Sequence, residues 1–422
     1  MTLNKNTIPK INIKVIDLKS EFDIKNYFFD QKYLKKRKIY WKNSTLELIG
    51  IDHLLSSDFS TKEEYQSLTT YYREIVKINQ YKLNELDAPF IFMGSAFNLN
   101  EETKSDIWND FPKGNIFIPK ILVISNNNFQ KVMQFSFEGE EQFEKLDNSN
   151  IKTYASDTIK IKNINDDNYK NKVNKAIQLI NKNQLSKIVL SRKKSYSIKS
   201  KEKLLFNFIY QQSIESNTTN FIIDFQDSGT ILGSSPETLF KISGKQLNTE
   251  ALAGSFKSDL DVDLIQNKKE VDEHNFVIEH LKKQLAKFSD SIKINDNEII
   301  KLHKISHIKT KLESRINEAH DVFDIIYHIH PTPAVAGTPK NISIEKIAEI
   351  ESHNRGWYAG FLGWIDHRLD AHFIVNIRSG IIKKDLLSIY AGCGITKDSN
   401  AQEEYNESEM KFDYILSKLN NE

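Results

Sequence analysis

Short apolar segments separated by polar turns fill the first third of the chain, and helical periods alternate with strands after residue 165. INIKVIDL is a short apolar run, and TKEEYQSLTTYYREIVKINQY reads as a helix. PFIFMGSAF, NIFIPKILVIS and KVMQFSFE place Val, Ile and Phe between Asn, Gly and Asp clusters, which predicts strands of an antiparallel sheet. The polar EGEEQFEKLDNSN, residues 138 to 150, reads as a linker or surface loop. Helix, strand, helix and strand then follow in DDNYKNKVNKAIQLINKN, KIVLSRKKSYSI, KEKLLFNFIYQQSIES and TNFIIDF. Residues 267 to 287 predict a further helix whose buried stripe runs through Val277, Leu281 and Leu285; one turn back it reaches Glu273. IKINDNEIIKLHKISHIKTKLESRI reads as strand, with His307 in its second half. Near the end come three strands, GWYAGFLGWID, HFIVNIRSGII and LLSIYAGCGIT, and a last helix, NAQEEYNESEMKFDYILSKL.

Between these regular elements lies HPTPAVAG, His330 to Gly337. Two prolines remove backbone donors and push the residues before them into extended conformations, so the stretch cannot be helical. It reads as a rigid, narrow wall, equally compatible with a tight loop between elements.

Composition narrows the classes of partner. In 422 residues, 58 Lys and Arg stand against 57 Asp and Glu, a net charge of +1 that offers no global attraction to nucleic acid or a membrane surface. A small-molecule partner is expected. The single cysteine, Cys393, excludes an internal disulfide framework and fits a reducing compartment. No signal-peptide pattern opens the chain, and no run approaches the roughly 18 apolar residues of a membrane helix. A cytoplasmic protein is the expectation.

Several polar residues stand where chemistry is possible, each with a plainer alternative. Lys187 begins the run Ile188, Val189 and Leu190. Lysines at strand starts are ordinarily solvated edge residues, while a desolvated one could serve as a base. Glu237 follows Ser234, Ser235 and Pro236 and could cap a turn. Gly254 either turns the chain or lets it approach a ligand. Arg378, mid-strand in an apolar setting, requires an anion nearby. Glu404 and Glu407 share a helix face one turn before Lys411, where two like charges call for a cation or serve the helix dipole.

In order along the chain, SKIVLSR, SSPETLF, ALAGS, DEH, HPTPAVAG, WYAGFLGWID, NIRSG, AGCGI and EYNESEMK resemble the chorismate-utilising enzymes. The resemblance is closest to the isochorismate synthases of menaquinone and siderophore biosynthesis. It covers roughly residue 165 to the carboxyl terminus. By that resemblance Lys187 is the general base that activates water and Glu237 the general acid. Glu273, Glu404 and Glu407 surround one Mg2+. Tyr358, Arg378, Lys411 and the backbone at Gly392 and Gly394 hold substrate carboxylate, and Gly254 and His307 lie near the ring. Alanine at 334, followed by Val335, stands where relatives that use ammonia or expel pyruvate carry threonine.

The resemblance implies an isomerase that converts chorismate reversibly to isochorismate, with salicylate synthase as the alternative. A hard cation with carboxylate ligands, a neutral lysine and a protonated glutamic acid are the inventory that chemistry requires. The implied fold is α/β (α+β): one large unit with antiparallel sheets packed face to face and helices outside. Residues 1–150 would contribute strands and helices to the same structure, and 151–422 would form the chorismate-binding catalytic region. No amidotransferase partner is expected, and a monomer is.

Overall fold

Alternation along the central strands decides the layering. In Lys38–Lys42 the side chains of Ile39 and Trp41 enter one buried cluster and Tyr40 another; in Thr219–Asp224, Phe221 and Ile223 join the first and Ile222 the second. Successive side chains of a strand point to opposite faces, so this sheet is covered on both sides. The first cluster also takes in Phe92, Phe240, Ile242 and Phe373 from a second sheet, and Trp41 meets His372 of that sheet edge-on at 5.2 Å. The second cluster lies beneath the helices Asn26–Phe29, Lys201–Tyr210 and Ala401–Leu419.

This arrangement is that of a computed structural model, which describes residues 8–19, 22–83, 88–101, 107–140, 143–144, 168–210, 218–257, 268–302 and 305–419. The boundary drawn at 150 lies outside the described residues. Among those described, eleven strands make the first sheet, in the order Ile11–Asp17, Gln130–Phe137, Ile121–Asn126, Leu46–Ile51, Lys38–Lys42, Thr219–Asp224, Thr230–Ser235, Ser379–Lys383, Leu386–Ile395, Lys187–Ser197 and Gly337–Thr338. Ten make the second: Ile292–Ile294, Ile305–Arg315, Gln246–Lys257, Thr238–Ser243, Ala371–Val375, Phe361–Ile365, Ile91–Ser95, Gly114–Ile118 and Leu55–Phe59, with Glu298–Leu302 paired to the side of Ile305–Arg315. The pairing is antiparallel throughout, for instance between Lys187–Ser197 and Leu386–Ile395 and between Gln246–Lys257 and Ile305–Arg315. No described helix is long and apolar enough to cross a membrane.

Three of the expected strands are each divided between the two sheets or between separate strands. NIFIPKILVIS breaks at Pro119, with Gly114–Ile118 in the second sheet and Ile121–Asn126 in the first. HFIVNIRSGII leaves the second sheet at Val375 and enters the first at Ser379. Arg378 is therefore not mid-strand: it sits in the bend between them with φ of 52°. The segment holding His307 is three strands, two short ones and one of 11 residues, and the histidine is near the start of the last. GWYAGFLGWID becomes strand only at Phe361, leaving Tyr358 in a preceding turn. The helix over Glu273 spans Lys268–Leu285, and Val277, Leu281 and Leu285 are fully buried as its period required.

Candidate active site

Two neighbouring strands pass from one sheet to the other at the same corner, and each delivers a polar side chain there. Thr230–Ser235 gives way to Thr238–Ser243 through Pro236 and Glu237, while Ala371–Val375 gives way to Ser379–Lys383 through 376–378. The corners are tied together: Ser235 Oγ donates to Val375 O at 2.6 Å, Val375 N to Glu237 O at 3.1 Å, and Ser234 N to Arg378 O at 3.1 Å. Glu237 is buried there, and desolvation pushes its carboxyl up to about 8 against the pull of Lys187 and Lys411. A carboxylic acid with that value carries its proton at neutral pH.

Arg378 points to His307, whose Nε2 accepts from Nη2 at 3.3 Å while Nδ1 donates to Gly254 O at 3.1 Å. Burial first, then the charges of Arg378 and Lys411, lower His307 to about 3, so the ring is neutral and this tautomer consistent. Gly254 stands at a bulge between Gln246–Lys257 and Ile305–Arg315 with φ of 80°, a conformation that favours glycine.

Lys187 opens its strand but is not at an exposed edge. The two-residue strand Gly337–Thr338 pairs with Ile188 and Lys187, and the lysine is 0% exposed. Its Nζ lies 2.9 Å from Glu273 Oε1, an ion pair whose angles are not those of a hydrogen bond. Gly394 makes room for it: a Cβ there would come within 2.2 Å of Glu273 Oε1 and 3.0 Å of Lys187 Cε. Gly337 does the same for the wall, since its Cβ would strike Lys187 O at 2.3 Å. The wall itself is pinned by Val189 N donating to Ala336 O at 2.9 Å and Ser186 N to Thr338 O at 2.8 Å.

At the other end, the helix Ala401–Leu419 faces the strand Leu386–Ile395. Lys411 Nζ donates to Gly392 O at 2.7 Å and pairs with Glu407 Oε1 at 2.5 Å. Burial, the largest single influence, works against its ammonium, but the charge and hydrogen bond of Glu407 together with Cys393 raise it above its usual value, so the lysine is held charged. Ligand atoms of Glu404, Glu407 and Cys393 lie within 4.8 Å of one another. Burial keeps the Cys393 thiol protonated, and it donates to Glu404 O at 3.3 Å, so the donors offered to a cation here are carboxylate oxygens. That set fits a hard divalent ion better than a soft one.

Glu237, Gly254, Glu273, His307, Ala334, Val335, Tyr358, Arg378, Gly392, Gly394, Glu407 and Lys411 line a single cleft, with Lys187 behind Glu273 and Gly394. A family model described as chorismate binding enzyme matches residues 3–420. The chain belongs to the chorismate-binding enzymes. The isochorismate synthase MenF of Bacillus subtilis (strain 168) is 26% identical over 435 residues, covering 93% of this chain and 89% of the relative. The structure of MenF, the menaquinone-specific isochorismate synthase of Escherichia coli, matches with a TM-score of 0.79 at 21% identity, over 97% of this chain and 95% of that one. Anthranilate synthase component I of Streptococcus pneumoniae TIGR4 shares the fold at a TM-score of 0.67 and 17% identity, over 96% and 92% of the two chains. The fold is thus common to chorismate-binding enzymes named for different products.

In this chorismate-binding enzyme the cleft also contains residues that the sequence did not flag. Arg355 and Tyr390 both line it. Tyr390 stacks on Tyr358 with ring centroids 5.1 Å apart, and its hydroxyl accepts from Trp108 Nε1 at 2.9 Å, so the amino-terminal region reaches the back of the site. No local pattern marks Trp108. Its partner lies 282 residues away.

Proposed function

We propose that this enzyme interconverts chorismate and isochorismate, with water as the nucleophile and Mg2+ as the required ion. The observation that carries the reading is the coexistence of a protonated Glu237 and an enclosed Lys187 at one cleft. In the proposed reaction Lys187 takes a proton from the water that attacks ring C2. Glu273, 2.9 Å away, stabilises the ammonium that forms. Glu237 gives its proton to the departing C4 hydroxyl, and the ring double bonds shift between the two positions. Arg378, a buried cation, and Lys411, a part-buried one, suit the two carboxylates of the substrate, and neutral His307 holds Arg378 in place. Run backward, the acid and base exchange tasks, so the reaction is reversible.

Glu404 and Glu407 would hold Mg2+, and Glu273, which lines the same cleft but lies outside their 4.8 Å ligand cluster, would be the third carboxylate; when bound the ion supplies a positive centre for the ring carboxylate. The apolar side chains of Ala334 and Val335 put no hydroxyl beside the ring, which supports stopping at isochorismate over continuing to salicylate. Water as nucleophile calls for no amidotransferase subunit.

The test is direct. Purified protein with chorismate and Mg2+ is expected to give isochorismate without pyruvate, followed by chromatography and a coupled pyruvate assay. Substantial pyruvate or salicylate would overturn the assignment.

A further inference from the structure

The proposed chemistry leaves one enclosed cation at the cleft without a task. Arg355 is 1% exposed and donates Nε to Glu351 Oε2 at 3.0 Å and Nη2 to Glu351 Oε1 at 2.6 Å. Its other bonds go to carbonyls of two different segments: Nη1 to Val335 O at 2.8 Å and Nη2 to Val189 O at 2.7 Å. Glu351 Oε1 in turn accepts from Ser191 N at 2.6 Å. The pair therefore bridges the HPTPAVAG wall and the strand that begins with Lys187.

That bridge falls where the backbone ladder ends. The wall pairs with the strand only through Gly337 and Thr338, followed by the bond from Val189 N to Ala336 O. Beyond Ala336 the chain turns away on the bonds from Val335 N and Ala336 N to Thr332 O. Arg355 is the next tie, and Phe97 packs over its guanidinium at 4.4 Å from the far side. Desolvation offsets most of what an enclosed ion pair gains in stability, so geometry is the stronger reason for one here. A planar guanidinium can hold a carboxylate and two carbonyls in fixed directions, whereas an ammonium cannot.

We infer that Glu351 and Arg355 are a positioning pair that sets the spacing between the Ala334–Val335 wall and Lys187, and with it both the rate and the point at which the reaction stops. The inference rests on the reading of this cleft as the chorismate–isochorismate site.

Two variants test it. Arg355→Lys keeps the charge and loses the fork, while the double change Arg355→Met with Glu351→Leu removes both charges together and strands neither. Each is measured beside the native protein for kcat, KM, the ratio of isochorismate to pyruvate, and thermal unfolding. Both are expected to unfold cooperatively and to lose about 100-fold in kcat, the cost of misplacement on the order of 1 Å, with KM within about threefold and a higher pyruvate fraction. Should the double variant fail to fold, Arg355→Lys carries the same readout. Native kcat and native product ratio in a folded variant overturn the inference and leave the pair as a brace. A native protein that leaves chorismate unchanged overturns the reading beneath it.

Discussion

Lys187 Nζ and Glu273 Oε1 lie 2.9 Å apart behind Gly394, with the lysine wholly enclosed. The strand supplies the base, the helix Lys268–Leu285 its counter-charge, and a third element must stay bare for them to meet. Lys187→Ala is expected to lower kcat by about 1,000-fold or more while chorismate still binds, as loss of a general base does. Gly394→Ala is the complementary test, because its Cβ would strike Glu273 Oε1 at 2.2 Å and crowd Lys187 Cε at 3.0 Å, breaking the pair while both side chains remain. It should fold and lose most turnover; near-native kcat in either variant removes Lys187 or its pairing from the mechanism.

Glu237 makes a prediction of opposite sign for activity and stability. Its carboxyl, raised to about 8 by burial, binds a proton in the folded state that the unfolded chain releases above its ordinary value near 4.5. The group therefore opposes folding increasingly as pH rises from about 4.5 to about 8. Glu237→Gln should abolish turnover and raise the melting temperature by a few degrees at pH 7.5, with little gain at pH 4.5. Equal melting curves at both pH values would show that the carboxyl is not held protonated.

The carboxylates on the last helix can be separated from the substrate cations by titration. Glu404→Gln and Glu407→Gln are expected to raise the Mg2+ concentration for half-maximal activity by at least about tenfold, since loss of even an outer-shell partner of a metal ligand costs about that much. Glu273→Gln should shift it too and additionally depress kcat at saturating Mg2+, since it also faces Lys187. Chelation of the native protein should reversibly abolish turnover. Unchanged metal titrations in all three variants would dismiss the ligand set.

Ala334 is a small side chain at the lining of the cleft, next to the enclosed Val335. Ala334→Thr adds one hydroxyl and one methyl there. It should produce measurable pyruvate from chorismate while the unfolding temperature moves by no more than a few degrees. An unchanged product distribution would return HPTPAVAG to a purely structural part.

Much of the secondary structure followed from period alone. The helix over Glu273 and its buried stripe were legible, as was the shared face of Glu404 and Glu407, because 3.6 residues per turn places them without reference to anything distant. The sheet corners were not. Alternation shows which face of a strand is covered but not when the strand changes sheets, so NIFIPKILVIS and HFIVNIRSGII each read as one strand. Arg378 was consequently placed mid-strand when it occupies a left-handed bend.

The sequence by itself determined the types of group available and their order along the chain: an amine, two kinds of carboxylate, an apolar pair in a proline-rich wall. These are covalent facts, and the local periods follow from them. Tertiary structure alone decided that Lys187 is enclosed, because the strand covering it, Gly337–Thr338, is contributed from about 150 residues further on. It alone decided that Glu237 keeps its proton, since desolvation depends on every segment packed around the corner. The tie from Arg355 to both the wall and the lysine strand belongs to the same class, for its acceptors lie 20 and 166 residues away and become neighbours only when the sheets have formed.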